Sequence, residues 1–347
     1  MIPSAPSAAP SQRLLRMPRS KLSSIAGIGY YLPTRILTNQ QLAETVDTSH
    51  EWIVERTGIH GRHMADSEQA TSDLAEQAAR AALADADVRP DELDLILLAT
   101  STPDAPVPST ACYLQAKLGC LGIPAMDVAA GCSGFGFAMQ MGSAAVKSGM
   151  HRRVLVVGAD CLSRVTNYAD RQSCILFGDG AGAAVLGTEG FIDVIYSRIG
   201  ADGSAADMIR IRAGGSRRPA SCESVAAAQH TLELHGREVF RAAVRQMAES
   251  IRQAASALGI GVEDFGLVIP HQANARIIEA VGANLGVRPE RLVIDIGETG
   301  NMASASIPVA VGRARDRGLL RPGELVVVVG FGAGTTWACQ VLHVRER

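Results

Sequence analysis

Cys132 lies in DVAAGCSGFGFAMQMGSAAVKSG, residues 127–149, where a short apolar strand turns at Gly131 and runs on as a predicted helix. A sulfur at a helix start faces unpaired N–H groups and the positive end of the dipole, which favours a thiolate. Cys132 is therefore a candidate nucleophile. The competing reading is that an unpaired cysteine is a small, inert, buried residue. His271 follows directly on the apolar run FGLVIP, and Asn301 stands in the small-residue loop GETGNMASASIP. A lone histidine at a strand end is more often a structural hydrogen-bonder, and asparagine serves well in caps and turns. Phe331-Gly332-Ala333-Gly334 forms a tight turn after an apolar strand, a shape that presents backbone N–H groups to an anion. Cys, His and Asn on converging loops are the parts of a thiol hydrolase. Two features point elsewhere: the flanks of Cys132 are small and apolar, poor for water access, and the spacing is not of the papain type. His and Asn donating to one oxygen suit an enolate instead, as when a carboxylate α to a thioester leaves as carbon dioxide.

The elements that must position these residues alternate between strand-like and helix-like, the mark of an α/β fold. Strands are predicted at SIAGIGYYLP, LDLILLAT, IPAMDVA, RRVLVVGAD and AGAAVLGT, with an alanine-rich amphipathic helix over residues 71–86. The second half repeats the order with a helix over residues 233–258, FGLVIP, a helix from Ala275, RLVIDI, a helix from Ser306, ELVVVVG and WACQVLHV. The match is local as well: LILLAT answers LVIPH, AKLG answers ANLG, MDV answers IDI and VLVVG answers LVVVVG. Two similar halves, each a mostly parallel sheet, then share one centre. Reactive groups in such sheets gather beyond the carboxyl ends of strands, where Thr100, Cys132, His271, Asn301 and the Gly330–Gly334 turn all fall. No charged residue occurs between Asp127 and Lys147, so the Cys132 helix is expected to be buried on every side.

With 347 residues, 47% apolar and 20% charged, the chain can bury a large core. A formal charge of −2 gives no global basic field, which argues against nucleic acid as the main partner. Seven cysteines without a CxxC pair fit a reducing cytoplasm and neither a disulfide framework nor a zinc site. No uninterrupted apolar run is long enough for a membrane span. Residues 1–23 are rich in Ser, Pro, Ala and Arg and hold no acidic residue. A transit peptide would share that composition; we read them as a disordered extension, with Met17 as another candidate start. Residues 24–190 and 191–347 are the two halves expected.

The segments GIGYYLP, TSHEWIVERTGI, AAGCSGF, ILFGDGAGAAVL, HGREVF, PHQAN, GNMASASIP and FGAGTTW stand in one order along residues 24–344. Carrying them, the chain resembles the β-ketoacyl-acyl-carrier-protein synthase III family of condensing enzymes. The resemblance implies a thiolase-like fold of two duplicated βαβαβαββ halves in a five-layered αβαβα core. It implies an acyltransferase in which Cys132 accepts an acyl group from acyl-coenzyme A. His271 and Asn301 then promote decarboxylative condensation with malonyl-acyl carrier protein, giving a 3-oxoacyl product for fatty acid biosynthesis. By the same resemblance the N–H groups of Cys132 and Ala333 form the oxyanion hole. Thr48, Trp52, Arg56, Arg171, Asn274 and Arg276 hold the pantetheine arm and nucleotide, and Arg241 with Arg276 dock the carrier protein. A cytoplasmic homodimer with no cofactor and no metal is implied too.

Three departures stand out. Val107, in DAPVPST, replaces the Phe common in members with small primers, on a loop that reaches the partner's acyl pocket; a longer or branched primer is expected. Ala333 replaces a common glycine, and GNMASAS stands for the commoner GNTSAAS, pointing to a specialised member. A condensing enzyme using malonyl-coenzyme A or a β-keto or aromatic thioester, and a non-decarboxylating acyltransferase, are the alternatives.

Overall fold

Runs such as Leu95–Ala99 and Val154–Cys161 are apolar on both faces because both faces are covered. A computed structural model describes residues 22–345. We number only the strands of its main sheet and the helices used below. The strands are β1 (Ser23–Tyr31), β2 (Leu95–Ala99), β3 (Ala125–Val128), β4 (Val154–Cys161), β5 (Asp179–Gly187), β6 (Ile192–Ala201), β7 (Phe265–Pro270), β8 (Leu325–Gly332) and β9 (Thr336–Val344). The helices are α1 (His50–Thr57), α2 (Thr71–Asp85), α3 (Thr110–Leu118), α4 (Gly134–Lys147), α5 (Gly236–Leu258), α6 (Ala275–Leu285) and α7 (Ser306–Asp316).

The first half has strand order β3-β2-β4-β5-β1, with β3, β2 and β4 parallel and the last two pairings antiparallel. The second half repeats it: Leu292 bridges β7 in parallel, β7 pairs β8 in parallel, and β8-β9-β6 are antiparallel. Pairing of Ser23–Ile25 with Ile192–Val194 joins the halves into one nine-stranded sheet. Helices α4 and α7 lie between the two half-sheets, α2 and α3 cover the outside of the first, and α5 and α6 cover the second. That is the expected thiolase-like arrangement of five layers.

The strand period divides the apolar residues among three cores. Leu95, Leu97, Val154, Val156, Val326 and Val328 face the middle layer with Phe135 and Met139. Ile96, Leu98, Leu155 and Val157 face α2, where Leu74 is fully buried, a burial worth about 2 kcal/mol. Val268, Val327 and Val329 face Met247 and Ile251 of α5. The helix α2 lies close on β1 because both contact surfaces are small: a Cβ on Gly29 would stand 2.3 Å from the Ala82 nitrogen.

Five expectations need correction. Cys132 sits in a 3-10 turn, Gly131–Ser133, and the α-helix begins at Gly134. That helix is not buried all round, since Met141 is 43% exposed; its stripe of Met141 and Ala144 points away from both half-sheets. RLVIDI forms a single bridge at Leu292 because the chain winds into the short helix Ile296–Thr299 directly afterwards. The helix expected from residue 233 starts at Gly236, as Leu232–Leu234 pairs with Ile209–Ile211 in a separate two-stranded ribbon. Residues 1–21 lie outside the described residues. Ser23, expected in the extension, is fully buried in β1 and bonded to Ser143.

Candidate active site

The turn bearing Cys132 is pressed against the end of β8. A Cβ on Gly332 would stand 2.5 Å from the Cys132 nitrogen, and one on Gly131 2.8 Å from the Ala333 nitrogen. Only glycine permits this approach, and it sets the Cys132 and Ala333 amides side by side. Gly131 also takes φ +54°, a left-handed conformation that costs a side chain energy. The Thr336 hydroxyl lies 2.8 Å from the Ala130 carbonyl and 2.7 Å from the Ser133 hydroxyl, which fastens the turn to β9.

Cys132 is half-buried at a cavity wall. Burial pushes its thiol up to about 12, and the Asp160 carboxylate adds to the rise, against a lowering by its own backbone N–H. The thiolate expected at the helix start is therefore opposed by desolvation, and the resting group is a thiol.

His271 continues β7 by one backbone bond, its N–H donating to the Val329 carbonyl at 2.7 Å. Next to it, the Gln272 amide donates to Pro270 and Val293 carbonyls at 2.7 and 3.2 Å and accepts the Asp295 N–H at 2.6 Å. The loop is thus fixed by Gln272, leaving the imidazole free of structural work. Both ring nitrogens are buried and meet no hydrogen-bond partner among the described residues. Burial pushes the imidazole down to about 3, so it is neutral at physiological pH. An orphaned buried imidazole points to a ligand atom.

Asn301 is held at three points. Its N–H donates to the Leu176 carbonyl at 2.8 Å, its carbonyl accepts the Gly178 N–H at 3.0 Å, and its Oδ1 accepts the Ala303 N–H at 2.9 Å. Because Oδ1 faces a donor, the side-chain NH2 is the group turned outward.

Cys132, His271 and Asn301 all line one cavity of about 1120 Å³. Trp52, Arg56, Arg171, Asn274, Arg276 and Arg241 line it as well. Arg56 and Arg171 each place the guanidinium carbon 4.9 Å from the Trp52 ring centroid. Asn274 caps α6 through the Arg276 N–H at 2.9 Å and donates to the Arg56 carbonyl at 3.1 Å, so most of its amide is engaged in tying α6 to α1. Thr48 is not on the cavity wall; its hydroxyl is buried without a hydrogen-bond partner among the described residues. Val107 is also off the wall, 84% exposed on its loop. The apolar wall contributed by Ile209, Leu232 and Leu234 escaped the sequence reading; its signal was the alternation in LEL just before the α5 helix. Asp160 escaped too, although one acid ending the run RRVLVVGAD was conspicuous.

A family model described as 3-oxoacyl-[acyl-carrier-protein (ACP)] synthase III matches residues 126–203, and its C-terminal counterpart matches residues 255–344. A beta-ketoacyl-[acyl-carrier-protein] synthase III of Caldanaerobacter subterraneus subsp. tengcongensis is 46% identical over 321 residues, 92% of this chain and 97% of that protein. The chain belongs to the 3-oxoacyl-acyl-carrier-protein synthase III family. It is therefore an acyltransferase of the thiolase-like condensing class. The solved structure of the 3-oxoacyl-[acyl-carrier-protein] synthase III from Aquifex aeolicus aligns with TM-score 0.85 at 41% identity, covering 92% of this chain and 99% of that one. The priming beta-ketosynthase from the R1128 polyketide biosynthetic pathway aligns with TM-score 0.85 at 34% identity, covering 95% and 98%. No described helix is long and apolar enough to cross a membrane.

Proposed function

We propose that this synthase III joins an acyl group from acyl-coenzyme A to the malonyl unit of malonyl-acyl carrier protein, with Cys132 as carrier. The observation that carries the reading is one cavity lined by a thiol, an orphaned imidazole and an amide whose oxygen is already engaged. In the first step the Cys132 sulfur attacks the thioester carbonyl. A new carbon–sulfur bond forms, that to coenzyme A breaks, and the thiol proton leaves with the departing sulfur by way of the neutral His271 ring. The N–H groups of Cys132 and Ala333 hold the oxyanion in this step. In the second step malonyl-carrier protein enters, carbon dioxide leaves, and His271 with the Asn301 NH2 donates to the enolate oxygen. The enolate carbon attacks the acyl-Cys132 carbonyl, the carbon–sulfur bond to Cys132 breaks, and the departing thiolate takes a proton from solvent to restore the thiol. The thioester supplies its own activation, so the scheme uses neither cofactor nor metal.

Trp52, flanked by Arg56 and Arg171, suits the nucleotide end of coenzyme A, with Arg276 nearby for phosphate. Thr48, off the cavity wall, is left out of this group. Arg241 and Arg276 at the same cavity offer charge to an acidic carrier protein. The free edge of β3, with Met126 41% exposed, together with Met141 and Val107, supports a homodimer. In that dimer Val107 would reach the other copy's acyl site and leave it roomier than Phe would. Seven free cysteines fit a reducing cytoplasm. A specialised synthase of secondary metabolism is the second reading, favoured by GNMASAS and by the likeness to the R1128 priming enzyme. Intact-mass measurement after incubation with acyl-coenzyme A of graded length tests the proposal. An acyl adduct on Cys132 is expected with medium or branched primers, and a strict acetyl preference would refute the roomier pocket.

A further inference from the structure

Asp160, next to last in β4, is fully buried, lies off the cavity wall, and has no basic partner among the described residues. A carboxylate so placed is costly unless neutral donors surround it, and they do. Its Oδ1 accepts the Ser101 N–H at 2.6 Å and the Thr100 and Thr102 hydroxyls at 3.2 Å each. Its Oδ2 accepts the Ser304 N–H at 2.9 Å and the Ser304 hydroxyl at 2.5 Å.

Ser304 belongs to the turn Ala303–Ala305, whose Ala303 N–H holds the Asn301 side-chain oxygen. The same turn abuts α4 directly after Cys132: a Cβ on Gly134 would lie 3.7 Å from the Ser304 Cβ. One carboxylate of the first half thus grips the turn of the second half that presents Asn301, against the helix that follows Cys132. The geometry points to Asp160 as a positioning residue for decarboxylation, seating the Asn301 turn through Ser304. This rests on the roles proposed above for Cys132 and Asn301. Burial pushes the Asp160 carboxyl up to about 6, and the titratable groups whose own ionisation it opposes are the Cys132 and Cys161 thiols.

The test measures two half-reactions separately in Asp160→Asn and Ser304→Ala: acylation of Cys132 by acyl-coenzyme A, and carbon dioxide release from malonyl-carrier protein. Release should fall about 10-fold or more in both variants, while acylation stays within about 3-fold of the unaltered enzyme. In Asp160→Asn the pH profile of Cys132 alkylation should also move to lower pH, since a neighbouring negative charge is gone; in Ser304→Ala it should stay. Parallel loss in both half-reactions with an unmoved alkylation profile would mark a merely structural role and overturn the inference. So would undiminished carbon dioxide release. Should Asp160→Asn fail to fold, Ser304→Ala decides alone, because it keeps the charge and removes only the hydroxyl contact. Failure of the unaltered enzyme to acylate at Cys132 would instead sink the proposed function, so the two failures are distinct.

Discussion

Replacing Gly332 by alanine probes the proposed oxyanion site with one methyl group. The new Cβ would lie 2.5 Å from the Cys132 nitrogen and 3.0 Å from the Ser133 nitrogen, where ordinary contact begins at 3.4 Å. Both obstructing atoms are backbone, so neither moves by a rotamer change. Gly332 lies outside the left-handed region, which leaves the clash as the only strain. Relief requires the Cys132 turn and β8 to part by about 1 Å, and a displacement of that size costs about 10²-fold in rate. Loss of an oxyanion donor costs about 10²–10³-fold by itself. We therefore expect acylation of Cys132 to slow by about 10²-fold, or about 2.7 kcal/mol of transition-state stabilisation. Overpacking should add about 1–3 kcal/mol of lost stability. Quenched-flow intact mass gives the acylation rate, with circular dichroism reporting the fold. A folded Gly332→Ala enzyme acylating at the unaltered rate would show that the two N–H groups do not act on the developing oxyanion.

His271 gives a pH prediction. Its ordinary value is about 6.5 and in the fold it is about 3, so below about pH 6.5 the unfolded chain binds a proton that the fold refuses. Stability is lost as pH falls through that window, by up to several kcal/mol, and His271→Gln should flatten this limb of the melting-temperature profile. The raised Asp160 acts in the opposite sense but is common to both proteins; superimposable profiles would contradict the burial argument. Trp52→Ala should raise KM for acyl-coenzyme A by about 10-fold or more with a smaller change in kcat, through lost stacking and cation–π contact. An unaltered KM would remove Trp52 from the nucleotide site. Val107→Phe should shift the primer preference toward acetyl, read from competition among acyl-coenzyme A lengths; an unshifted profile would place Val107 away from any acyl pocket.

Much of the fold was legible because its signals are periodic. Strands buried on both faces read as unbroken apolar runs, and the duplicated order of LILLAT, MDVAAG and VLVVGAD against LVIPH, VIDI and LVVVVG exposed two related sheets. The failures share a cause, which is that local pattern does not report what covers a surface. Met141 and Ala144 look like core because no charge interrupts them, yet neither half-sheet reaches them. Cys132, His271 and Asn301 were found from their places at strand ends, and the cavity gathers all three. What the residue types could not convey was electrostatic: burial and Asp160 push the Cys132 thiol up against the helix terminus that was expected to lower it. Nor did they convey that the Arg171 guanidinium carbon already lies 4.9 Å from the Trp52 ring centroid, on the ring proposed above for the nucleotide.

In the reaction proposed above, the Cys132 sulfur carries the acyl group until the malonyl carbon displaces it. Intact-mass analysis of the enzyme after acyl-coenzyme A, and again after malonyl-carrier protein, measures this directly. The prediction is one acyl increment that maps to Cys132, is absent from Cys132→Ala, and disappears on the second addition as a 3-oxoacyl-carrier protein forms. An increment on another residue, or one that malonyl-carrier protein fails to discharge, would contradict it.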